Sequence, residues 1–313
     1  MVLEFLRKRD KREPGWLAVS LQPDALHFAH GVVNNDKKEI KRCGTHAFSG
    51  DKDLERTAKE LGFERHQCMA LLSPTDYQLL LIDAPSVPSA ELRNAARWRI
   101  KDLIDYSVEQ ATIDVLDIPV DPAGGGRGHS MYAVAANNAV IQACMDRLSR
   151  AHVPLSVIDI PETAQRNIAA AFESPDRGIA LLYAGKSQVL LTVNYRGELY
   201  LARRIDASLD ELEKFARGGS EDAKNRILLE VQRSLDHLER QFPFVPVEKL
   251  LVAPTPADTG LQSYLAENLD LPVEELRLED ALTFSPDVEF GREVAWRYFH
   301  LFGATLRNGV TAS

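Results

Sequence analysis

The sequence carries two strand–turn–strand openings of the same kind, one near its start and one past its middle. The first runs Gly15-Trp16-Leu17-Ala18-Val19-Ser20-Leu21-Gln22-Pro23-Asp24-Ala25-Leu26-His27-Phe28. The second runs Ile179-Ala180-Leu181-Leu182-Tyr183-Ala184-Gly185-Lys186-Ser187-Gln188-Val189-Leu190. Each is an apolar run, a short turn and a second apolar run, the pattern of a buried hairpin. Two such openings in 313 residues point to two α/β halves built on one plan. An apolar content of 45% supplies both with a core.

Around the openings the elements read as follows. Strands are expected at Trp16–Leu21, Ala25–Val33 and Ile40–Phe48, then a helix at Asp51–Leu61 and strands at Cys68–Leu72 and Gln78–Asp83. Ser89 reads as the N-cap of a helix from Ala90 to about Ile104. Strands at Ala111–Ile118 and Ser130–Ala135 flank a glycine-rich loop at 122–128, which reads as an exposed hairpin loop. A phosphate cradle needs a helix after it, and here a strand follows. A helix at Asn138–Ala151 should turn Val140, Ile141, Cys144, Met145 and Leu148 inward. A strand at Pro154–Ile160 and a helix at Pro161–Phe172 complete the first half.

The second half repeats the plan, with strands at Ile179–Tyr183, Gln188–Tyr195 and Glu198–Ile205. Ser208-Leu-Asp-Glu211 reads as a capping box. Ser220 is expected to cap a long helix to about Gln241, with Ile227, Leu228, Val231, Leu235, Leu238 and Phe242 on one face. A strand at Lys249–Ala253, a helix at Gly260–Asn268 and one closing helix at Val288–Leu306 finish the chain. The expected organisation is a basic arm at 1–14, a first lobe at 15–86 and 153–177, and an inserted subdomain at 87–152. A second lobe follows at 178–287 and a closing helix at 288–307.

Composition narrows the function. The net charge of −9 argues against a general nucleic-acid binder. Cys43, Cys68 and Cys144 lie far apart without a CxxC and read as reduced core thiols. No apolar run approaches a membrane span and no signal peptide is visible, so a cytoplasmic protein is expected. The N-terminus is unusual in that Val2, Leu3, Phe5 and Leu6 run into Arg7, Lys8, Arg9, Lys11 and Arg12. That is the composition of a segment that touches anionic lipid or a partner, and also of a frayed tail.

Four further stretches carry a family resemblance. They are Glu91-Leu-Arg-Asn-Ala-Ala-Arg97-Trp98 followed by Asp105-Tyr106-Ser107-Val108-Glu109-Gln110, and Tyr132-Ala-Val-Ala-Ala followed by Val157-Ile-Asp159-Ile-Pro161-Glu162. The others are Glu230-Val-Gln-Arg233-Ser234-Leu235-Asp236 and Tyr298-Phe-His-Leu-Phe-Gly303-Ala304-Thr-Leu306-Arg307. In order and spacing they resemble the PilM family of type IV pilus assembly proteins, especially its MshI-type branch. The cell-division protein FtsA and the cytoplasmic part of GspL are more distant. The resemblance implies an actin-like (ribonuclease H-like) two-lobed α/β fold with a small inserted subdomain. It also implies a scaffold at the inner face of the inner membrane. Such a scaffold takes the cytoplasmic peptide of a bitopic, PilN-like protein in a groove between the first lobe and the inserted subdomain. It would also link that protein to cytoplasmic components such as a motor ATPase.

In an actin-like fold each hairpin turn carries an Asp-x-Gly core that holds phosphate and Mg²⁺. Here Ser20-Leu21-Gln22 and Tyr183-Ala184-Gly185 stand in those places, and Pro23 removes a backbone donor. Leu251-Val252-Ala253-Pro254-Thr255-Pro256 stands where a Gly-rich adenine loop belongs, and its prolines are expected to fill adenine's space. Lys186 and Ser187 remain able to meet a phosphate. A P-loop reading of Gly185-Lys186-Ser187 fails, because its first glycine falls at Ala180. The expectation is a degenerate nucleotide site near Ser20, Gln22, Gly185, Lys186 and Ser187, with no catalytic residue, no metal and no cofactor. The alternative is an ATP-binding ATPase or phosphotransferase of the actin-like superfamily.

Other chemistry is thin. The histidines show no metal spacing, and His27 and His30, three apart in one strand, point to opposite faces. Ser73 and Ser130 lack a nucleophile elbow, and Asp83 and Asp159 read as strand-end caps. Arg97 and Trp98 are the partner-binding candidates, since such pairs anchor interfaces. The competing reading packs Trp98 into the subdomain core and leaves Arg97 solvated.

Overall fold

The computed structural model describes residues 12–34, 37–121, 129–216 and 221–307. The chain begins with β1 (Trp16–Leu21), β2 (Ala25–Asn34), β3 (Lys37–Ala47), α1 (Asp51–Glu60) and β4 (Gln67–Leu71). Next come β5 (Tyr77–Asp83), α2 (Leu92–Ile100), β6 (Ala111–Asp117), β7 (Ser130–Asn137), α3 (Asn138–Arg150), β8 (Leu155–Asp159) and α4 (Pro161–Ala169). The second half holds β9 (Gly178–Ala184), β10 (Val189–Tyr195), β11 (Glu198–Ile205), α5 (Leu209–Ala216), α6 (Asp222–Gln241) and β12 (Val247–Val252). It ends with α7 (Leu261–Asn268), β13 (Val273–Glu275), β14 (Thr283–Phe284), α8 (Arg292–Arg297) and α9 (Phe299–Thr305).

Two of the sheets share one topology. One has the order β14-β3-β2-β1-β4-β8 and the other β11-β10-β9-β12-β13. In each, the opening hairpin is antiparallel and its first strand pairs in parallel with a later strand, β1 with β4 and β9 with β12. β1 and β9 sit in the middle of their sheets. That is why their sequences are continuously apolar rather than alternating. The duplication of plan therefore holds at the level of topology.

A third sheet, β5-β7-β6, forms a small inserted subdomain with α2 on one face. Its core is Ile82, Ala96, Ile100, Ile104, Val108, Ala111, Met131, Ala133 and Ala135. β5 pairs along its length with β7, from Tyr77 opposite Ala136 to Asp83 opposite Ser130. It thus lies outside the first-lobe sheet, where the 15–86 boundary would put it. Conversely, Leu148 and Ala151, at the end of α3, pack with Leu54, Phe63 and Cys68 of the first lobe. The glycine-rich loop at 122–128 lies outside the described residues; the strands on either side of it pair antiparallel.

The closing helix is where the sequence expectation departs most. Instead of one helix there are two short ones broken at Tyr298, preceded by non-helical chain to Gly291. Packing supplies the reason. Phe290 stacks on Phe284 with ring centroids 3.8 Å apart, and the Tyr298 hydroxyl reaches Thr45 Oγ1 at 2.8 Å. β14 pairs in parallel with β3, Phe284 opposite Ile40, so the last segment returns to the first lobe.

α2 also stops earlier than expected. Ser89 does not cap it, because Pro88 opens a tight turn closed by the Glu91 amide on the Pro88 carbonyl at 2.8 Å. It ends at Ile100, and Ile104 folds back into the subdomain core. Met145 of α3 is exposed rather than inward. The Ser208–Glu211 capping box is present, with the Ser208 amide donating to Glu211 Oε2 at 2.8 Å. Ser220, the expected cap of α6, lies outside the described residues.

α4 is buried on almost every side, from Pro161 through Gln165 and again at Ile168 and Ala169. It packs against β9, β10 and β11 of the second sheet, and α9, which packs along it, covers β1, β2 and β4 of the first. Gly303 of α9 comes so close that a Cβ there would sit 2.1 Å from the Ala164 carbonyl oxygen. The Asn167 side chain donates to the Gly303 carbonyl at 3.0 Å. α4 and α9 together are the seam on which the lobes meet.

Candidate functional site

The two hairpin turns face each other across a cleft of about 310 Å³. Ser20, Gln22, Gly185, Lys186 and Ser187 all line it, so the structure brings together every residue the sequence placed at the degenerate site. The β1–β2 turn is closed by the Gln22 amide on the Ala25 carbonyl at 2.8 Å. The second is closed by the Gly185 amide on the Gln188 carbonyl at 2.9 Å. A Cβ at Gly185 would meet that same carbonyl at 2.9 Å, so glycine is what lets the turn close.

Residues the sequence reading did not assign to the cleft decide its character. Trp296 and His300, from the closing segment, form part of its wall beside Tyr183 of the second turn. The Trp296 indole donates to the Ala184 carbonyl at 2.8 Å, and the Tyr183 hydroxyl donates to the Trp296 carbonyl at 3.1 Å. Tyr183 stacks on Phe299 at 5.0 Å, and burial raises its phenol pKa well above the ordinary range. His300 Nε2 meets Gln165 Oε1 at 3.2 Å, while burial lowers its pKa to about 3 and holds it neutral. Gln165 also donates to the Leu181 carbonyl at 2.8 Å and to Thr192 Oγ1 at 3.1 Å, tying α4 to the second sheet.

The carboxylate in the cleft wall is Glu162, at the start of α4 and 1% exposed. Its charge is matched within the protein. Arg204 of β11 donates from Nε at 3.0 Å and from Nη2 at 2.9 Å to Glu162 Oε1, and the Tyr77 hydroxyl donates to Oε2. Arg204 also donates to the Pro74 carbonyl at 2.7 Å and lies over the Tyr77 ring. Charge-assisted hydrogen bonds from one guanidinium to a buried carboxylate are among the stronger polar contacts a protein makes. Asp159, ending β8, accepts from the Ile160 amide and Thr163 and pairs with Arg307 at 2.8 Å, a strand-end cap as expected. A Mg²⁺–nucleotide needs a carboxylate free to hold the ion. Asp24 of the first turn does not line the cleft, and Glu162, which does, is already engaged by Arg204 and Tyr77.

The Pro254-Thr255-Pro256 loop stands away from this cleft. None of the three lines it; Thr255 is buried and its carbonyl accepts from Arg292 Nε at 3.1 Å. His27 and His30 do point apart. His27 faces the cleft and meets Thr45 Oγ1 at 2.6 Å, whereas His30 lies against His66 with ring centroids 4.4 Å apart and the rings tilted by 60°.

Glu13, His30 and His66 place one potential ligand atom each within 4.8 Å of one another. Arg42 Nη2, however, lies 2.9 Å from His66 Nε2, and Lys41, Arg42 and Arg65 line the adjoining hollow. Those cations oppose a divalent ion there. The three cysteines are free thiols, and burial pushes the Cys68 thiol up to about 12 and the Cys43 thiol up to about 11.

The partner-binding candidates separate. Arg97 is spent inside the subdomain, donating to the Val108 carbonyl and, at 3.3 Å, to the Ala111 carbonyl. Trp98, next to it, is 70% exposed and does not pack the subdomain core. Arg99 and Leu103 of the same segment line a groove of about 750 Å³ with Leu81, Val120, His237 and Phe244. That groove runs between the inserted subdomain and the end of α6, not against the first lobe.

No protein-family model matches the sequence, and no curated protein matches it. Solved structures do. The chain superimposes on a chain of a structure described as a PilM–PilN type IV pilus biogenesis complex with a TM-score of 0.70. Sequence identity is 20%, over 93% of this chain and 98% of that one. It also matches a Bacteroides thetaiotaomicron protein of unknown function with an actin-like ATPase fold. There the TM-score is 0.51 and identity 10%, over 96% of this chain and 99% of that one. Among the described residues no helix is long and apolar enough to cross a membrane. The duplicated sheets, the cleft between their hairpins and these likenesses together identify the fold as actin-like, of the form seen in the PilM–PilN structure.

Proposed function

We propose that this protein is an actin-like scaffold of a type IV pilus or related secretion assembly. In this reading it works at the cytoplasmic face of the inner membrane and docks the cytoplasmic segment of a PilN-like, bitopic protein. The observation that carries the reading is the pairing of a whole-chain PilM-like fold with a cleft whose carboxylate is already consumed by Arg204. A phosphate site with no free carboxylate supports the reading as a pseudo-ATPase, leaving partner binding as the work of the fold. An MSHA-type pilus is the system proposed, and a motor ATPase is the cytoplasmic component it would join to the membrane subcomplex.

Trp98 is the proposed anchor for the partner segment. A tryptophan standing 70% exposed is the residue type that dominates interface energetics. Arg97 supports it from within by fixing α2 to the strand behind. The test is co-purification of the full chain with the PilN-like protein of the same organism. Capture that Trp98→Ala weakens at least ten-fold supports the reading. Absence of any complex with the wild-type chain contradicts it.

A further inference from the structure

Three side chains of the cleft wall stand outside the network around Glu162. Lys186, in the turn between β9 and β10, is exposed and makes no hydrogen bond or ion pair among the described residues. Arg297, ending α8, gives Nε and Nη2 to Glu293 Oε1, which leaves its Nη1. His27, on β2, has Nδ1 2.6 Å from Thr45 Oγ1, and that oxygen lies 2.8 Å from the Tyr298 hydroxyl. Thr45 has one proton to give. When Tyr298 donates to Thr45 and Thr45 to Nδ1, the neutral imidazole carries its proton on Nε2, the nitrogen left for a ligand. A charged imidazole carries a proton there too, and an anion in the cleft favours both states over the reversed chain. Burial, then Arg297 and Lys186, hold the His27 pKa below its ordinary 6.5, against the opposite pull of Asp24. Both cations are thus near enough to act on the ring. Among the charged residues of the cleft wall, Glu162 is the one carboxylate, and Arg204 and Tyr77 already hold it.

We propose that the cleft is a metal-independent site for a small phosphate monoester, held by Lys186, His27 and Arg297 with the Ser20 and Ser187 hydroxyls. This goes beyond the scaffold reading and does not rest on it. The donors come from both hairpins and from the closing segment, so they approach from different sides. That suits the three outer oxygens of a phosphate better than the two coplanar oxygens of a carboxylate. The protein itself supplies the positive charge. A Mg²⁺–nucleotide would instead bring a further cation beside Lys186 and Arg297, with no free carboxylate to receive it. Size acts in the same direction. A cleft of about 310 Å³ is at the small end of ligand sites, and the Tyr183 and Trp296 rings already stand in its wall. A ligand there would tie the first hairpin to the second, adding to the contacts that hold the lobes together.

The test is isothermal calorimetry of the full chain in buffer free of phosphate and magnesium. Inorganic phosphate and glycerol 3-phosphate are the ligands, and chloride at matched ionic strength is the control. Both ligands should bind, and added Mg²⁺ should not tighten them. Lys186→Ala should weaken binding at least about ten-fold, as expected for one lost charge-assisted hydrogen bond. His27→Ala should weaken it too. In the wild-type chain phosphate should raise the His27 pKa followed by NMR, because an adjacent anion favours the imidazolium. The melting temperature of each unliganded variant reports its folding, and Lys186, being exposed, keeps the test decisive if the His27 variant is unstable. No binding by the wild-type chain, heat matched by chloride, undiminished binding by Lys186→Ala, or binding only with Mg²⁺ overturns the proposal. Equally tight binding of ADP, or tighter binding of a phosphoserine peptide than of glycerol 3-phosphate, also overturns it.

Discussion

At the scale of single residues, the chemistry is set by charges that are satisfied inside the protein. Glu162 is buried, and Arg204 and Tyr77 consume both its oxygens. Arg204→Met strands that carboxylate and should destabilise the fold by about 3–5 kcal/mol. Adding Glu162→Gln should recover part of the loss. Urea unfolding of the single and double variants reads the coupling, and additive losses would contradict it. The buried histidines make a second prediction. Burial, with His30 and Arg42 close by, holds His66 at about 4, below its ordinary 6.5. The unfolded chain therefore takes up a proton first as pH falls. The stability linked to His66 is complete above about pH 6.5 and is lost between there and about 4, by at most ~3 kcal/mol. His300, held at about 3, adds a loss of the same sign. A flat profile of unfolding free energy over that range would contradict the assignment.

At the scale of elements, the seam between α4 and α9 is the most exacting contact. A Cβ at Gly303 would meet backbone at 2.1 Å, and backbone cannot rotate away as a side chain can. Gly303→Ala should cost about 1–3 kcal/mol and lower the melting temperature, and an unchanged melt would refute the close approach. Elements also divide by how far they could be read beforehand. β1 and β9 were legible because a strand buried on both faces writes a continuous apolar run. The break at Tyr298 and the short β14 were not. Both are set by partners distant in sequence, Thr45 for the Tyr298 hydroxyl and Ile40 for Phe284. The site follows the same division. Its five turn residues were legible because they stand at fixed places in two visible hairpins. The Arg204–Glu162–Tyr77 network was not, since its partners lie 42 and 85 residues apart. Trp98 was seen, but its exposure was not, because periodicity cannot say what covers a helix face.

At the scale of the whole molecule, two duplicated lobes are joined across a cleft by the protein's own side chains. Arg204 reaches from the second lobe to Glu162 and Pro74, and Trp296 reaches from the closing segment to Ala184. Under the proposed function, those contacts would do the joining that a nucleotide and its ion do elsewhere in the fold. What remains available to a partner is on the outside: exposed Trp98, and the groove lined by Arg99 and Leu103. The most direct test is isothermal calorimetry of the full chain with MgATP, beside ADP. A degenerate cleft predicts no heat of binding and no thermal shift. Micromolar binding would contradict it, and would mean that Lys186, Ser187 and the turn amides hold phosphate without a carboxylate.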